Sequence, residues 1–288
     1  MNRSARESGH VPLGFIASVI IAVLIVSGTL AADLLAPYDP LEQDVGRRLV
    51  APGAEHLFGT DGFGRDVFSR TLHGGRMSII VALSSVFAAG AAGTAIGTAS
   101  AYAGGRLDIV VQRAVDLLLG FPFLVMALLV VVAISPSAPA VAGAIAISLV
   151  PLVTRVARSA ALSVANEEYV LVVRSTGAGA GHIMIRHILP AAGPPIVAYL
   201  ATCLGAAIAA EATLSFLGLG LPPPYPSWGR MLQEGSRAYF DAAPWVTLLP
   251  GLVLSLTVVS VTAIGDRLGR RRVHTEAVQC VAQTDERP

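Results

Sequence analysis

The sequence predicts an all-α polytopic membrane protein with six transmembrane helices and both termini on the cytoplasmic side. Three observations carry this: composition, the length of the uncharged runs, and the placement of arginine. Of 288 residues, 54% are hydrophobic and only 14% are charged, against about 45–50% and about 25% in an ordinary soluble chain. A soluble surface needs charge to cover it, so a soluble enzyme, a disordered chain and a nucleic-acid binder are all excluded. The formal net charge of +1 gives no bulk field that would point to an acidic partner.

A bilayer core of about 30 Å needs roughly 20 apolar helical residues. Residues 11–32 meet that length without a charge, and residues 77–105 form a second such run. Residues 117–154 would make one helix about 57 Å long at 1.5 Å per residue. That is too long for one crossing, and Ser135-Pro136-Ser137-Ala138-Pro139 breaks it into two spans joined by a tight turn. Residues 191–219 and 242–265 complete the six. The first run exceeds the usual apolar length of a cleaved signal peptide, so it is read as an uncleaved anchor. Orientation follows from arginine, since every basic residue other than histidine is Arg. With the N-terminus inside, thirteen Arg residues fall in cytoplasmic segments and seven outside. The cluster at 267–272, directly after the last span, is the strongest marker.

The outside loop, residues 37–76, is rich in Pro and Gly and too polar for lipid. At its end Val67, Phe68 and Leu72 share one side of a helix expected to lie along the membrane surface. Asp61 through Asp66 faintly resembles a calcium loop, but Arg65 and Leu72 stand where oxygen ligands belong, which excludes it. Gly93 and Gly97, four apart, predict a close helix approach. Pro122, Pro151 and Pro250 are expected to kink their spans. Cys203 lies in an apolar run and Cys280 in a polar tail, so no bridge is expected. The tail, 273–288, reads as disordered.

Ionisable residues inside spans are costly. Asp116 is expected to pair with Arg113 one turn earlier, and Asp33 to reach water. Glu211, with Ser215 one turn on, either lines a polar pathway or makes a helix–helix hydrogen bond.

The stretch between the fourth and fifth spans is the most informative. Asn166 is expected to cap a short helix whose first turn holds Glu167 and Glu168, where the helix dipole favours negative charge. Gly177 ends it as a C′ glycine. A second short helix, 183–188, follows, and Pro190 fixes its junction with the fifth span. Two short helices at an angle form an elbow that can carry a push from a soluble partner into the membrane.

The run Glu168-Tyr169-Val170, then Arg174, Gly177, Ala178 and Arg186-His187-Ile188-Leu189-Pro190 resembles the cytoplasmic loop signature of one family. This is the permease subunits of binding-protein-dependent ATP-binding-cassette importers, in the dipeptide/oligopeptide/nickel group. Three further stretches match in order: His56 to Asp66, Glu211 to Gly220, and Pro226-Ser227-Trp228-Gly229. Ala243-Pro244-Trp245 and Gly265-Asp266 are also similar. The resemblance implies a type I importer permease fold. It divides the chain into a leading part, 1–76, a transmembrane core, 77–266, with the coupling loop at 158–190, and a cytoplasmic tail, 267–288.

It further implies that the chain forms half of a pathway for di- or oligopeptides, with nickel or another small solute as the alternative cargo. The implied partners are a second permease, one or two ATPase subunits, an extracytoplasmic substrate-binding protein and membrane lipid, with no nucleic acid. Glu168, Tyr169, Arg174, Gly177 and Ala178 would contact the ATPase, and Glu211 and Ser215 would belong to the pathway. One departure stands out: Leu171-Val172-Val173 replaces the family's usual Glu-Ala-Ala, which removes a polar contact.

A nucleotide-binding P-loop needs a Lys, and this chain has none. ATP and Mg are therefore expected on separate chains, with no cofactor, metal or catalytic residue on this one. The rival from another class is a stand-alone secondary transporter using Glu211 or Asp116 as an ion site. An intramembrane enzyme is disfavoured because the six His residues are scattered, with no His-Glu-x-x-His pair and no Gly-x-Ser-x-Gly turn.

Overall fold

The computed structural model of the chain describes residues 13–285, and among these all side chains except those of residue 238 and residues 270–285. Arg3, Arg6 and the side chains of Arg270, Arg271 and Arg272 therefore lie outside the described residues. Among the described residues eleven α-helices follow one another: α1 (Leu13–Leu30), α2 (Ala32–Leu35), α3 (Val67–Ala103), α4 (Gly105–Leu119), α5 (Phe123–Ile134), α6 (Ala138–Ala165), α7 (Glu168–Ser175), α8 (Ala180–Ile183), α9 (Leu189–Phe216), α10 (Trp228–Ala238) and α11 (Trp245–Asp285). A 3₁₀ turn covers Val45–Arg47 and a π turn covers Met184–Ile188. Among the described residues there is no β-strand, only an isolated bridge between Thr60 and Asp66.

Five of these helices are long and apolar enough to cross a membrane: α1, α3, α6, the continuous stretch Ala180–Phe216, and Trp245–Gly269 within α11. The expected third span is different. Its residues fall on the last turn of α4 and on α5, and those two helices meet at 89°. Pro122 lacks an N–H and pushes the residue before it out of the helical region, so Gly120-Phe121-Pro122 breaks the helix. With 12 residues, α5 rises only about 18 Å and cannot cross alone; a sixth crossing exists only as this bent pair.

The core is built on α3 and α6. Ala82, Ala89, Val141, Ala144, Ile145 and Val153 are fully buried between them and α9. A Cβ at Gly97 would stand 2.5 Å from the Thr154 carbonyl oxygen and 2.8 Å from the Arg158 nitrogen. Backbone thus meets near-backbone here, which is the close approach that the Gly93/Gly97 spacing predicts. By contrast α1 buries only Ala22 and Thr29 and shows Leu13, Val23, Leu24 and Leu30 outward, as a helix facing lipid must.

The helix expected to lie along the membrane surface is instead the start of α3, and Val67 is fully buried. Gly74 and Gly75 do not interrupt it. Each fills a place where a side chain would strike Ser227 or the Trp228 ring. The tail also departs from expectation, since α11 continues past the span into the segment read as disordered. No Gly or Pro lies between 270 and 285 to stop it. One end of the bundle carries the 37–66 loop and α10. The other carries α4, α7 and α8.

Candidate functional site

The elbow begins where α6 stops. Asn166 closes α6 in helical conformation, with its Nδ2 donating to the Leu162 carbonyl at 2.9 Å. The expected N-cap role is therefore wrong, because a residue that terminates one helix in αR cannot adopt the extended geometry that caps the next. Glu167 takes that place in extended conformation. Glu168 in the first turn of α7 and Arg174 in the last both suit the dipole. Gly177 sits at φ +81°, and its N–H donates to the Arg174 carbonyl at 3.2 Å. No atom would obstruct a Cβ there, so the left-handed backbone alone calls for glycine.

After Ala178 the chain re-enters helix at α8, and the π turn Met184–Ile188 leads directly into α9. The expected separate helix at 183–188, joined to the fifth span at Pro190, is instead continuous with α9. Proline can neither donate an N–H nor tolerate the usual carbonyl four residues back. The wider π turn, closed by the Leu189 N–H on the Met184 carbonyl, absorbs it. The left-handed turn between α7 and α8 is made at Gly177.

The underside of the elbow is anchored. Val170, Ile183 and Ile188 are buried with Ala101 of α3 and Ala161 of α6, and Ala178 packs against this cluster. The outer face is open. Glu168, Tyr169, Leu171, Val172, Arg174 and Gly177 are exposed, and the Arg174 guanidinium lies 5.4 Å from the centre of the Tyr102 ring. Tyr169, His187 and His182 form a row with ring centres 6.4 and 5.7 Å apart. The structure thus gathers all five sequence-predicted coupling residues in one small segment.

A brace beside the elbow was not legible in sequence. Arg158 on α6 donates twice to Asp108 on α4, at 2.7 and 2.5 Å, and Ser100 donates to the same carboxylate at 2.6 Å. Asp116 pairs with Arg155 of α6 and not with Arg113. The bend between α4 and α5 turns α4 so that its acids face the arginines of α6, and no rule of spacing along one helix foresees a partner 39 or 50 positions away.

At the opposite end the separated motifs converge. Asp66 caps α3 through the Ser69 N–H at 2.7 Å and accepts from His56 Nδ1 at 2.9 Å. Asp61 holds its own loop, accepting from the Phe63 and Arg65 N–H groups, and its other oxygen accepts from Arg65 Nε at 2.7 Å. Arg65 and Arg70 both reach Glu234 Oε2, at 3.0 and 3.1 Å, while Arg230 donates to Oε1 at 2.8 Å. Burial alone would raise the Glu234 pKa, but Arg70, Arg230 and Arg65 together hold it below the usual value. Trp228, fully buried, donates its indole N–H to the Thr71 carbonyl at 2.9 Å. Asp33 reaches water as expected and bonds Arg76 at 2.9 Å.

Glu211 lies under this cap with none of its surface exposed, and Ser215 is only 2% exposed. Oε1 accepts from Ser215 Oγ at 2.6 Å, and Oε2 has no partner although Ser78 and Ser227 stand beside it. The neighbouring open surface is a groove of about 440 Å³ between α9, α10 and α11, lined by Ala212, Thr213, Phe216, Leu254 and Ser255 among others.

A bundle of apolar helices with an anchored elbow at one end and a motif-built cap at the other defines the membrane subunit of a transport system. Residues 93–274 match the family described as binding-protein-dependent transport system inner membrane component, and the chain belongs to that family. Among curated relatives, the dipeptide transport system permease protein DppC of Alkalihalophilus pseudofirmus is 38% identical over 253 residues, covering 88% of this chain and 83% of the relative. A Brucella suis protein named as a peptide permease is 39% identical over 251 residues, covering 87% and 83%. Among solved structures, the inward-facing MetNI methionine ABC transporter matches with a TM-score of 0.57 at 18% identity, over 71% of this chain and 96% of that one. An amino acid ABC transporter crystallised with histidines gives 0.54 at 16%, over 71% and 94%. The fold is that of a type I ABC importer permease, an inner-membrane component and not a member of an enzyme family.

Proposed function

We propose that this chain forms half of the translocation pathway of an ATP-driven peptide importer. Its elbow transmits closure of a separate ATPase to the spans. The observation that carries the reading is the elbow itself: an exposed face of Glu168, Tyr169 and Arg174 on a short helix, anchored below on α3 and α6 and followed by the left-handed turn at Gly177. A push on the elbow reaches both helices, because Val170 and Ile188 belong to one buried cluster with Ala101 of α3 and Ala161 of α6. The names of the curated relatives support peptides as cargo.

In this reading both termini and the elbow face the cytoplasm, the cap faces the binding protein, and a second permease completes the pathway. ATP and Mg are held by the partner ATPase chains. The groove between α9, α10 and α11 supplies part of the wall, and Glu211 and Ser215, bonded to each other on α9, lie buried beside it. The test is co-purification from native membrane in mild detergent, with mass spectrometry of the bound chains. A second permease together with ATPase subunits is the expected result. A chain that purifies alone, intact and monodisperse, would move the reading to a secondary transporter.

A further inference from the structure

A cavity of about 210 Å³ opens in the cap, lined by Tyr38, Glu42, Asp44, Arg47, His56 and Asp66 among others. Its chemistry is lopsided. Asp66 accepts from His56, so a ring proton sits on Nδ1 and Nε2 is left to face the cavity lining. The His56 side chain is only 7% exposed, and Nε2 has no partner. Glu42 is exposed and, among the described residues, makes no side-chain hydrogen bond or ion pair. Asp44 keeps one oxygen on the Gly46 N–H and the other 3.5 Å from Arg47. Arg47, the one cationic donor among these, is already engaged by Glu55 at 2.9 Å. The cavity therefore gathers the carboxylates of Glu42 and Asp44, the satisfied Asp66, the unpartnered Nε2 of a buried imidazole and an aromatic ring around a single arginine, so acid outweighs base in its lining.

We infer that this cavity receives a single basic side chain, an arginine or lysine, presented by the extracytoplasmic binding protein when it docks. Charge complementarity selects a cation, and the Tyr38 ring offers a face for a guanidinium. Size selects a side chain over a solute, since small-molecule pockets run to about 300–1,000 Å³. The cavity lies wholly within the 37–66 segment, away from the helix-lined groove assigned to the pathway. This inference rests on the functional reading above, which turns the cap toward the binding protein.

The test uses the whole complex in lipid nanodiscs and the binding protein that co-purifies with it, with affinity measured at low and high salt. Glu42→Gln should weaken binding by about tenfold, the loss of one desolvated charge pair, and flatten the salt dependence. Glu42→Arg should weaken it further. Because Glu42 is exposed and unpaired, both chains should assemble, which size-exclusion chromatography checks. Wild-type affinity and salt dependence in both variants would overturn the cavity's role and leave the importer reading standing. Unchanged binding-protein affinity with a raised KM for peptide uptake would also overturn it, by assigning the cavity to the cargo. A wild-type complex that binds no such protein would overturn the functional reading and this inference together.

Discussion

At the scale of single residues, Gly177 and Arg70 place opposite demands on their surroundings. Gly177 needs only a backbone conformation. Nothing stands near its missing Cβ, and a left-handed L-residue costs roughly 1–2 kcal/mol, more for a β-branched one. Gly177→Val should therefore abolish uptake at equal membrane level, while Gly177→Asn, which tolerates that conformation, should retain most of it. Equal uptake by both would show that the turn does not transmit motion. Arg70 needs its partners. It is 1% exposed and reaches Glu234, Asp61 and the Pro40 carbonyl. Arg70→Ala removes charge-assisted contacts while leaving Glu234 and Asp61 their bonds to Arg65 and Arg230, and should cost about 1.5–3 kcal/mol, read as a lower melting temperature of the purified protein.

The same network has a pH signature. Because the arginines depress the folded pKa of Glu234, its stabilisation is complete above the ordinary carboxylate pKa of 4.5 and is lost as pH falls through the lower folded value. The melting temperature should thus drop in acid below about pH 4.5, and less so in Glu234→Gln.

At the scale of elements, the glycine pair that joins α3 to α6 allows a clean comparison. Gly97→Ala forces a Cβ onto the α6 backbone and should destabilise by about 1–3 kcal/mol. Gly143→Ala, on α6 with open space around it, should be neutral. Equal melting temperatures for the two variants would contradict the packing described. This contact was legible in sequence because small residues four apart mark one helix face. The end of α7 at Gly177 was also legible, because a left-handed turn acts locally, whereas its start was misread at Asn166, which closes α6 instead. What sequence did not show were the bent α4–α5 pair, the Asp108–Arg158 brace and the continuity of α8 into α9. Pro122 announced a kink but not its 89°, since the angle is set by packing against α6. Pro190 marked a junction between a short helix and the fifth span, where a π turn instead runs straight into α9.

At the scale of the whole molecule, the two ends are built differently. The cap is tied by charge: Arg65, Arg70, Arg230, Asp61 and Glu234 bind the 37–66 loop, α3 and α10 into one unit. The elbow is seated by apolar burial on one face and left open on the other. Sequence motifs showed that residues near 60, 215 and 228 belonged to one pattern. Only the fold shows that they meet, with Trp228 bonded to the Thr71 carbonyl 157 positions away. The polar node at Glu211 lies at that junction. Residue type and spacing left it open as a pathway group or an internal hydrogen bond, and its complete burial places the carboxyl inside the chain.

The central claim is that the open face of α7 meets an ATPase and moves with it. The most direct measurement is a cross-link from Val172→Cys, an exposed position, in the complex assembled in membrane, with and without ATP. The predicted result is a bond to an ATP-binding subunit whose yield changes when ATP is added. A cysteine at that position that finds no ATPase, in membranes where the chain is intact and transporting, would contradict the account.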